Sequence, residues 1–137
     1  MVKNKFRARV HNNLHIYLCI PLLAVLMFDT YNYHEEAEKL EKPGKFIRKR
    51  VSTGDIFDID IYVYADGGEN RYHTCSEDEY FYILRGEAEM VVENDHTLLE
   101  EGEGIMVKAG LKHKHSSDDK LWMIVISKWP HEHIYYD

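Results

Sequence analysis

From residue 57 onward the chain alternates apolar and polar side chains with a period of two. Phe57, Ile59, Ile61 and Val63 interleave with Asp58, Asp60, Tyr62 and Tyr64, which predicts a strand buried on one face. Asp66-Gly67-Gly68 predicts a turn. Tyr80 to Leu84 is aromatic and β-branched and stops at Arg85-Gly86. Residues 87–92 then set Glu87 and Glu89 against Ala88, Met90 and Val92, before a turn at Glu93-Asn94-Asp95. Gly102, Gly104 and Gly110 bracket a further strand around Ile105-Met106-Val107. Leu121 to Ser127 predicts a last strand, apolar nearly throughout and therefore covered on both faces. Residues 34–42, HEEAEKLEK, predict one short polar helix ended by Pro43-Gly44. Many short strands with Gly-rich turns predict an all-β sandwich or barrel preceded by a short N-terminal helix.

Charge divides the chain. The 137 residues carry 17 basic and 24 acidic side chains, a net charge of -7. Residues 1–26 hold Lys3, Lys5, Arg7 and Arg9 and no acid, so subtracting that +4 leaves residues 27–137 at -11. An acidic domain of this kind is no general nucleic-acid binder, because phosphate affinity comes from clustered Lys and Arg. The two cysteines, Cys19 and Cys75, exclude a disulfide framework. The run Ile16 to Phe28 is apolar, interrupted by Pro21, and follows the basic stretch in the outline of a secretory signal. No small-x-small cleavage site follows it, and it is shorter than the ~20 residues of a membrane-spanning helix. A signal or anchor, an added element packed on the domain, and an over-extended start upstream of Met27 all fit this segment. The last is favoured, because composition switches at Met27. The domains expected are therefore 1–26, a basic-apolar segment, and 27–137, a single domain with its barrel at about 46–128. The expected location is cytoplasmic, or exported or anchored if residues 1–28 act as a signal.

Two clusters carry chemistry. The first runs from Gly67 to Gly86 and includes His73, Cys75 and Glu79. On an extended strand His73 and Cys75 project to one face; Glu79 shares it unless a turn at Ser76–Asp78 resets the parity. The second runs from Gly102 to His113 and offers His113 from another strand. Two histidines, a carboxylate and a thiol converging inside a barrel form a plausible transition-metal sphere.

These clusters resemble the paired motifs of the cupin superfamily. The first motif is Gly, five residues, His-x-His, three or four residues, Glu, six residues, Gly, and Gly67, His73, Glu79 and Gly86 match it. The second is Gly, five residues, Pro-x-Gly, two residues, His, three residues, Asn, and Gly102, Gly110 and His113 match it, after a short intermotif stretch of 15 residues. The resemblance covers about residues 56–127. It implies a small antiparallel β-barrel or jelly-roll, often a homodimer, that binds one divalent metal (Fe, Zn, Ni, Cu or Mn) through His73, Glu79 and His113. Cys75 stands where the family has its second His, Lys108 where it has Pro, and Ser117 where it has Asn. Cys75 reads either as a thiolate ligand favouring softer metals or as a small buried residue beside a two-His-one-carboxylate set. Loss of that His also leaves open a site that has given up metal and kept a cavity.

The remaining candidates have plain readings beside functional ones. His115 shares the face of His113 and is a substitute ligand, a proton-transfer group or a polar residue at the cavity mouth. His131-Glu132-His133 imitates a metal spacing but, beside Pro130, reads as a solvated tail or a subunit contact. Tyr72 and Tyr82 are candidates to reach the cavity. Lys45, Arg48, Lys49 and Arg50 read as a solvated edge strand rather than an anion site.

The leading functional expectation is a metalloenzyme of dioxygenase or isomerase type acting on a small molecule, with Glu79 and His115 as catalytic candidates and Cys75 as ligand or cavity residue. The rival is a non-catalytic binding or sensor module that uses the cavity without turnover; a metal-free sugar isomerase or epimerase is a third. The reading of the N-terminus has a direct check. A chain begun at Met27 should express as a soluble, folded protein, and insolubility of that form beside a soluble full-length chain would overturn it.

Overall fold

A computed structural model describes residues 30–54 and 56–137. The expectations placed on residues 1–28, Cys19 among them, lie outside the described residues. Every element described below belongs to one compact unit, Asn32–Asp137.

Helix α1, Tyr33–Leu40, begins where Asn32 caps it, the Asn32 side chain accepting the Glu35 N–H at 3.2 Å. It ends one turn before Pro43-Gly44, close to the expected span. Eleven strands follow: β1 Phe46–Thr53, β2 Phe57–Tyr64, β3 Gly68–Glu69, β4 His73–Cys75, β5 Glu79–Arg85, β6 Ala88–Val92, β7 Asp95–Leu99, β8 Gly104–Val107, β9 His113–Ser117, β10 Leu121–Lys128 and β11 His133–Tyr135. They form two sheets with antiparallel pairing throughout. One has the order β1-β2-β10-β5-β8 and the other β11-β4-β9-β6-β7, with β3 beside β9. The fold is the expected two-sheet β-barrel with a short N-terminal helix.

The barrel interior is filled by Tyr62, Tyr64, Phe81, Ile83, Met90, Leu121, Met123 and Val125. A second apolar layer joins Ala37 of α1 to Ile61, Val63, Leu84, Trp122 and Ile124 on the outer face of the first sheet. β2 therefore corrects its expectation of one buried face. Its aromatic-acidic positions face the interior and its aliphatic positions face the helix, so burial covers both sides. β10 is covered on both faces, as its apolar run predicts. Two glycines of the motifs owe their identity to the backbone. Gly67 has φ +85°, and a Cβ there would lie 2.7 Å from the Ser117 carbonyl oxygen; Gly86 has φ +84°, and a Cβ would collide with the Lys120 carbonyl.

The basic stretch forms an edge strand, β1, but it is not simply solvated. Arg50 lies opposite Asp60 and Arg48 opposite Tyr62 in the pairing with β2, so both arginines share the interior-facing side. Arg48 donates from Nε and Nη2 to Asp60 Oδ2 at 3.0 and 2.7 Å. Arg50 donates to both Asp60 oxygens at 2.9 and 3.2 Å, and its Nη1 lies 3.1 Å from Asp58 Oδ2. Asp58 and Asp60 are buried. Lys49, of opposite parity, instead pairs with Glu36 of the helix at 3.0 Å.

Burial alone would raise the Asp60 pKa, but hydrogen bonds from Arg50 and Arg48 hold it below its ordinary value. Its stabilising contribution is thus complete above about pH 4 and is lost as the pH falls through the lower folded value. Asp60→Asn should cost about 2 kcal/mol at pH 7, less than a fully buried pair because the arginines are one-third exposed. Urea unfolding of both proteins should show that gap narrowing progressively below pH ~4; a gap constant with pH would contradict it.

Candidate metal centre

Ser76–Asp78 breaks the chain between β4 and β5, so Glu79 does reset its parity and arrives on the sheet facing His73. Asp78 fixes the break by accepting from the Ala109 N–H at 2.9 Å and from Lys108 Nζ at 3.1 Å. Lys108, at the family's Pro position, thereby ties one motif to the other. Ser117, at the Asn position, donates to the Glu87 carbonyl at 2.7 Å and keeps a framework role.

On the second sheet, β4 brings His73 directly opposite His113 of β9 on one side and Tyr135 of β11 on the other. Residues paired across antiparallel strands project to the same face. One row into the barrel is therefore Tyr135–His73–His113, with His73 and His113 rings 4.2 Å apart and His73 and Tyr135 rings 5.5 Å apart. Cys75 lies opposite His133 in the adjoining row.

Glu79 enters this space from the first sheet, 1% exposed. Its Oε1 is 3.2 Å from His113 Nε2 and 3.8 Å from His73 Nε2, and its Oε2 is 3.2 Å from His133 Nε2. The donor atoms of His73, Glu79 and His133 all lie within 4.8 Å of one another and can hold a metal ion. His133 is the correction here. The sequence places it in a tail, but a three-residue strand beside β4 turns its imidazole inward, and only 11% of that side chain is exposed. Cross-strand pairing with β4 is a long-range contact that the local pattern HEHIYYD does not announce; the histidine spacing was its one signal.

The histidine tautomers follow from their partners. His73 Nδ1 lies 3.0 Å from the Arg71 carbonyl and His113 Nδ1 lies 2.9 Å from the Leu111 carbonyl. A carbonyl only accepts, so each Nδ1 carries a proton and each ring presents its Nε2 to the site. Among the described residues, Glu79 Oε1 and His113 Nε2 find no hydrogen-bond partner, even though they lie 3.2 Å from each other. A buried carboxylate oxygen and imidazole nitrogens placed this way could share a cation, and the donor set suits a transition metal. Burial would raise Glu79, but the contacts with His113 and His133 hold it well below the usual carboxylate range. Burial lowers His73, overriding its bond to Arg71.

Cys75 is buried, and burial pushes its thiol up to about 11, with Glu79 in electrostatic reach. His115 is not at the mouth. It is fully buried among the rings of Tyr62, Tyr64 and Phe81, with Nδ1 3.1 Å from the Tyr64 hydroxyl and Nε2 without a hydrogen-bond partner among the described residues. Burial drives its pKa down to about 3, which keeps the ring neutral. Tyr72 packs instead under Lys112 and Lys114, and Tyr82 against the layer beneath the helix. The aromatic rings against the cluster are Phe81, 5.8 Å from the His113 ring, and Tyr135, with Tyr62 within electrostatic reach of Glu79. A groove of about 610 Å³ on the outside of the β6-β7-β9 surface, lined by Glu89, His96 and Ser116, includes none of the cluster. No described helix is long and apolar enough to cross a membrane.

A two-sheet antiparallel barrel with histidines and one glutamate gathered inside it defines a class of small β-barrels with an interior cluster that could hold a metal. Residues 60–127 match the model of the cupin domain family, and the chain belongs to the cupin superfamily. Solved structures share the fold. A cupin superfamily protein from Desulfitobacterium hafniense is 22% identical, with a TM-score of 0.63, over 67% of this chain and 85% of that one. A conserved protein with a double-stranded β-helix domain from Klebsiella pneumoniae is 17% identical, with a TM-score of 0.68, over 80% and 98%. A salicylate 1,2-dioxygenase from Pseudaminobacter salicylatoxidans is 16% identical, with a TM-score of 0.61, over 69% of this chain and 31% of that one. The search of curated proteins finds no match.

The burial of Cys75 has a chemical consequence. With the pKa at about 11, roughly a thousandth of the thiol is ionised at pH 8. In a Cys19→Ser background the native metal-free protein should resist a thiol-specific disulfide reagent at pH 8 and react fully once unfolded in urea. Rapid labelling of the native protein would contradict this environment.

Proposed function

We propose that the chain is a metal-dependent cupin enzyme of dioxygenase type that takes one divalent transition metal on His73, Glu79, His113 and His133 and acts on a small molecule. The observation that carries the reading is Glu79, buried with three imidazole Nε2 atoms around its two oxygens, two of those rings having their Nδ1 protons fixed by backbone carbonyls. His133 supplies the imidazole that the family's pattern has at position 75, so Cys75 serves as the small neighbour that leaves room for it rather than as a thiolate. Bound there, a transition metal supplies Lewis acidity and open positions at which substrate and O₂ meet.

The protein's own groups prepare this site. The Arg71 and Leu111 carbonyls orient two rings, and Ser127 Oγ, 3.4 Å from Glu79 Oε2, steadies the carboxylate. Phe81, Val125 and Met123 close the barrel below and exclude bulk water. Glu79 acts as a ligand rather than a free base, because both its oxygens lie among the imidazole Nε2 atoms that would share the metal. His115, held neutral, supports the wall of the cavity through Tyr64 instead of exchanging protons. The imidazole-rich donor set accommodates iron as it does zinc, copper or nickel, and the salicylate dioxygenase among the fold relatives supports choosing the dioxygenase reading over isomerisation.

Elemental analysis of protein purified without a metal-binding tag tests the proposal. The wild type should retain about one transition metal per chain. His113→Ala and His133→Ala should lose metal affinity by at least the ~10–100-fold that removing an outer partner costs, while Cys75→Ser retains it. Retention in both histidine variants overturns the site. Iron with O₂ uptake dependent on an added small molecule supports the dioxygenase; a site selective for redox-silent zinc removes it.

A further inference from the structure

The opening of the barrel above Glu79 is lined on one side by the first sheet, and the charges there are unequal. Cross-strand register puts Asp58, Ser127 and Glu79 in one inward row and Asp60, Val125 and Phe81 in the next. On β1, Arg50 continues the second of these rows opposite Asp60, and Arg48 begins the row beyond it opposite Tyr62, with Met123 and Ile83. The inward charges of this sheet are thus Asp58, Asp60 and Glu79 against Arg48 and Arg50, a formal balance of -1. The facing sheet contributes His73, His113, His133, Cys75 and Tyr135, all formally neutral, and the Arg71 guanidinium over the Tyr135 ring is offset by its pair with the Asp137 side chain. A divalent cation on the histidine-glutamate cluster turns the balance to +1, which a monoanion neutralises.

The two arginines are not equivalent. Arg50 is spent on structure, with Nε and Nη2 on the two Asp60 oxygens and Nη1 beside Asp58. Arg48 uses Nε and Nη2 on a single Asp60 oxygen, and Nη1 takes no part in those bonds. Its side chain is 34% exposed while Asp60 is 2% exposed, so Asp60 holds it from within and a ligand can reach it from without. The guanidinium sits 5.5 Å over the Tyr62 ring and within electrostatic reach of Tyr135. Tyr62 in turn is within electrostatic reach of Glu79, and Tyr135 adjoins the His73 ring. A planar fork of donors, braced by an aspartate, packed over the Tyr62 ring and within electrostatic reach of the phenol that adjoins His73, is an arrangement that can recognise a carboxylate.

We propose that the substrate class of this site is a small monocarboxylate, bound with its acidic group against Arg48 and between Tyr62 and Tyr135. The inference rests on the metal reading above, since without the cation the balance stays negative and repels an anion.

Isothermal titration of the zinc-loaded full chain with two matched pairs, benzoate against benzamide and acetate against acetamide, tests it. The acid of at least one pair should bind ~10-fold or more tightly than its amide, and Arg48→Gln should reduce that preference to within about threefold at unchanged zinc content. Arg48→Lys should keep an intermediate preference, and it stands in if the Gln variant does not fold. Equal binding of acids and amides, or a preference unchanged in the Arg48 variants, overturns the inference while leaving the metal reading intact. Failure of the wild type to take up zinc overturns both.

Discussion

A carboxylate removed from water needs positive charge or hydrogen-bond donors around it, and the interior end of this barrel is arranged about that need at Glu79. Burial alone would favour the protonated acid by a large margin, and imidazoles drawn from the facing sheet reverse the preference. Two of them give their Nδ1 protons to backbone carbonyls and present Nε2 toward the same oxygen atom. The backbone at Arg71 and Leu111 thereby sets the orientation of a cluster that could hold a cation.

The fold satisfies the geometric half of the requirement. Glu79 comes from one sheet and the histidines from the other, so the distance between donor atoms is set by how the sheets face each other, not by any loop. The short break at Ser76–Asp78 moves the chain from one sheet to the other within four residues of Cys75, and Asp78 fastens it to the second motif through Ala109 and Lys108. A second charged cluster, Asp58 and Asp60 with Arg48 and Arg50, closes the same end of the first sheet. Its acidic members would be untenable in the interior without the edge strand that supplies the arginines.

The legibility of this structure in its sequence was uneven, for identifiable reasons. The helix, β2, β5, β6, β8 and β10 announced themselves through local period and turn residues. The motif residues His73, Glu79 and His113 stood out through spacing, and all three meet in the barrel. What escaped depended on contacts between distant segments. The inside of β2 carries Asp58, Asp60, Tyr62 and Tyr64, a set that reads as the wet face until the arginines of β1 and the second sheet are placed over it. β7, Asp95–Leu99, has four exposed residues and only Leu99 buried, so no apolar pattern marks it. His133 belongs to a strand of three residues whose existence depends on β4, and His115, placed by parity on the correct face, lies deeper than parity alone could tell.

The pairing of Cys75 with His133 ties the fates of two positions far apart in the chain. They face each other across neighbouring strands beside one carboxylate, and a single imidazole serves where each could have provided one. Moving that ring from one strand to the other cannot proceed by one neutral replacement. An intermediate with histidine at both places crowds two rings into the volume of a ring and a thiol; an intermediate with histidine at neither leaves Glu79 short of a partner. The effect of a substitution at either residue therefore depends on which side chain stands at the other, although residues 76–132 lie between them in the chain.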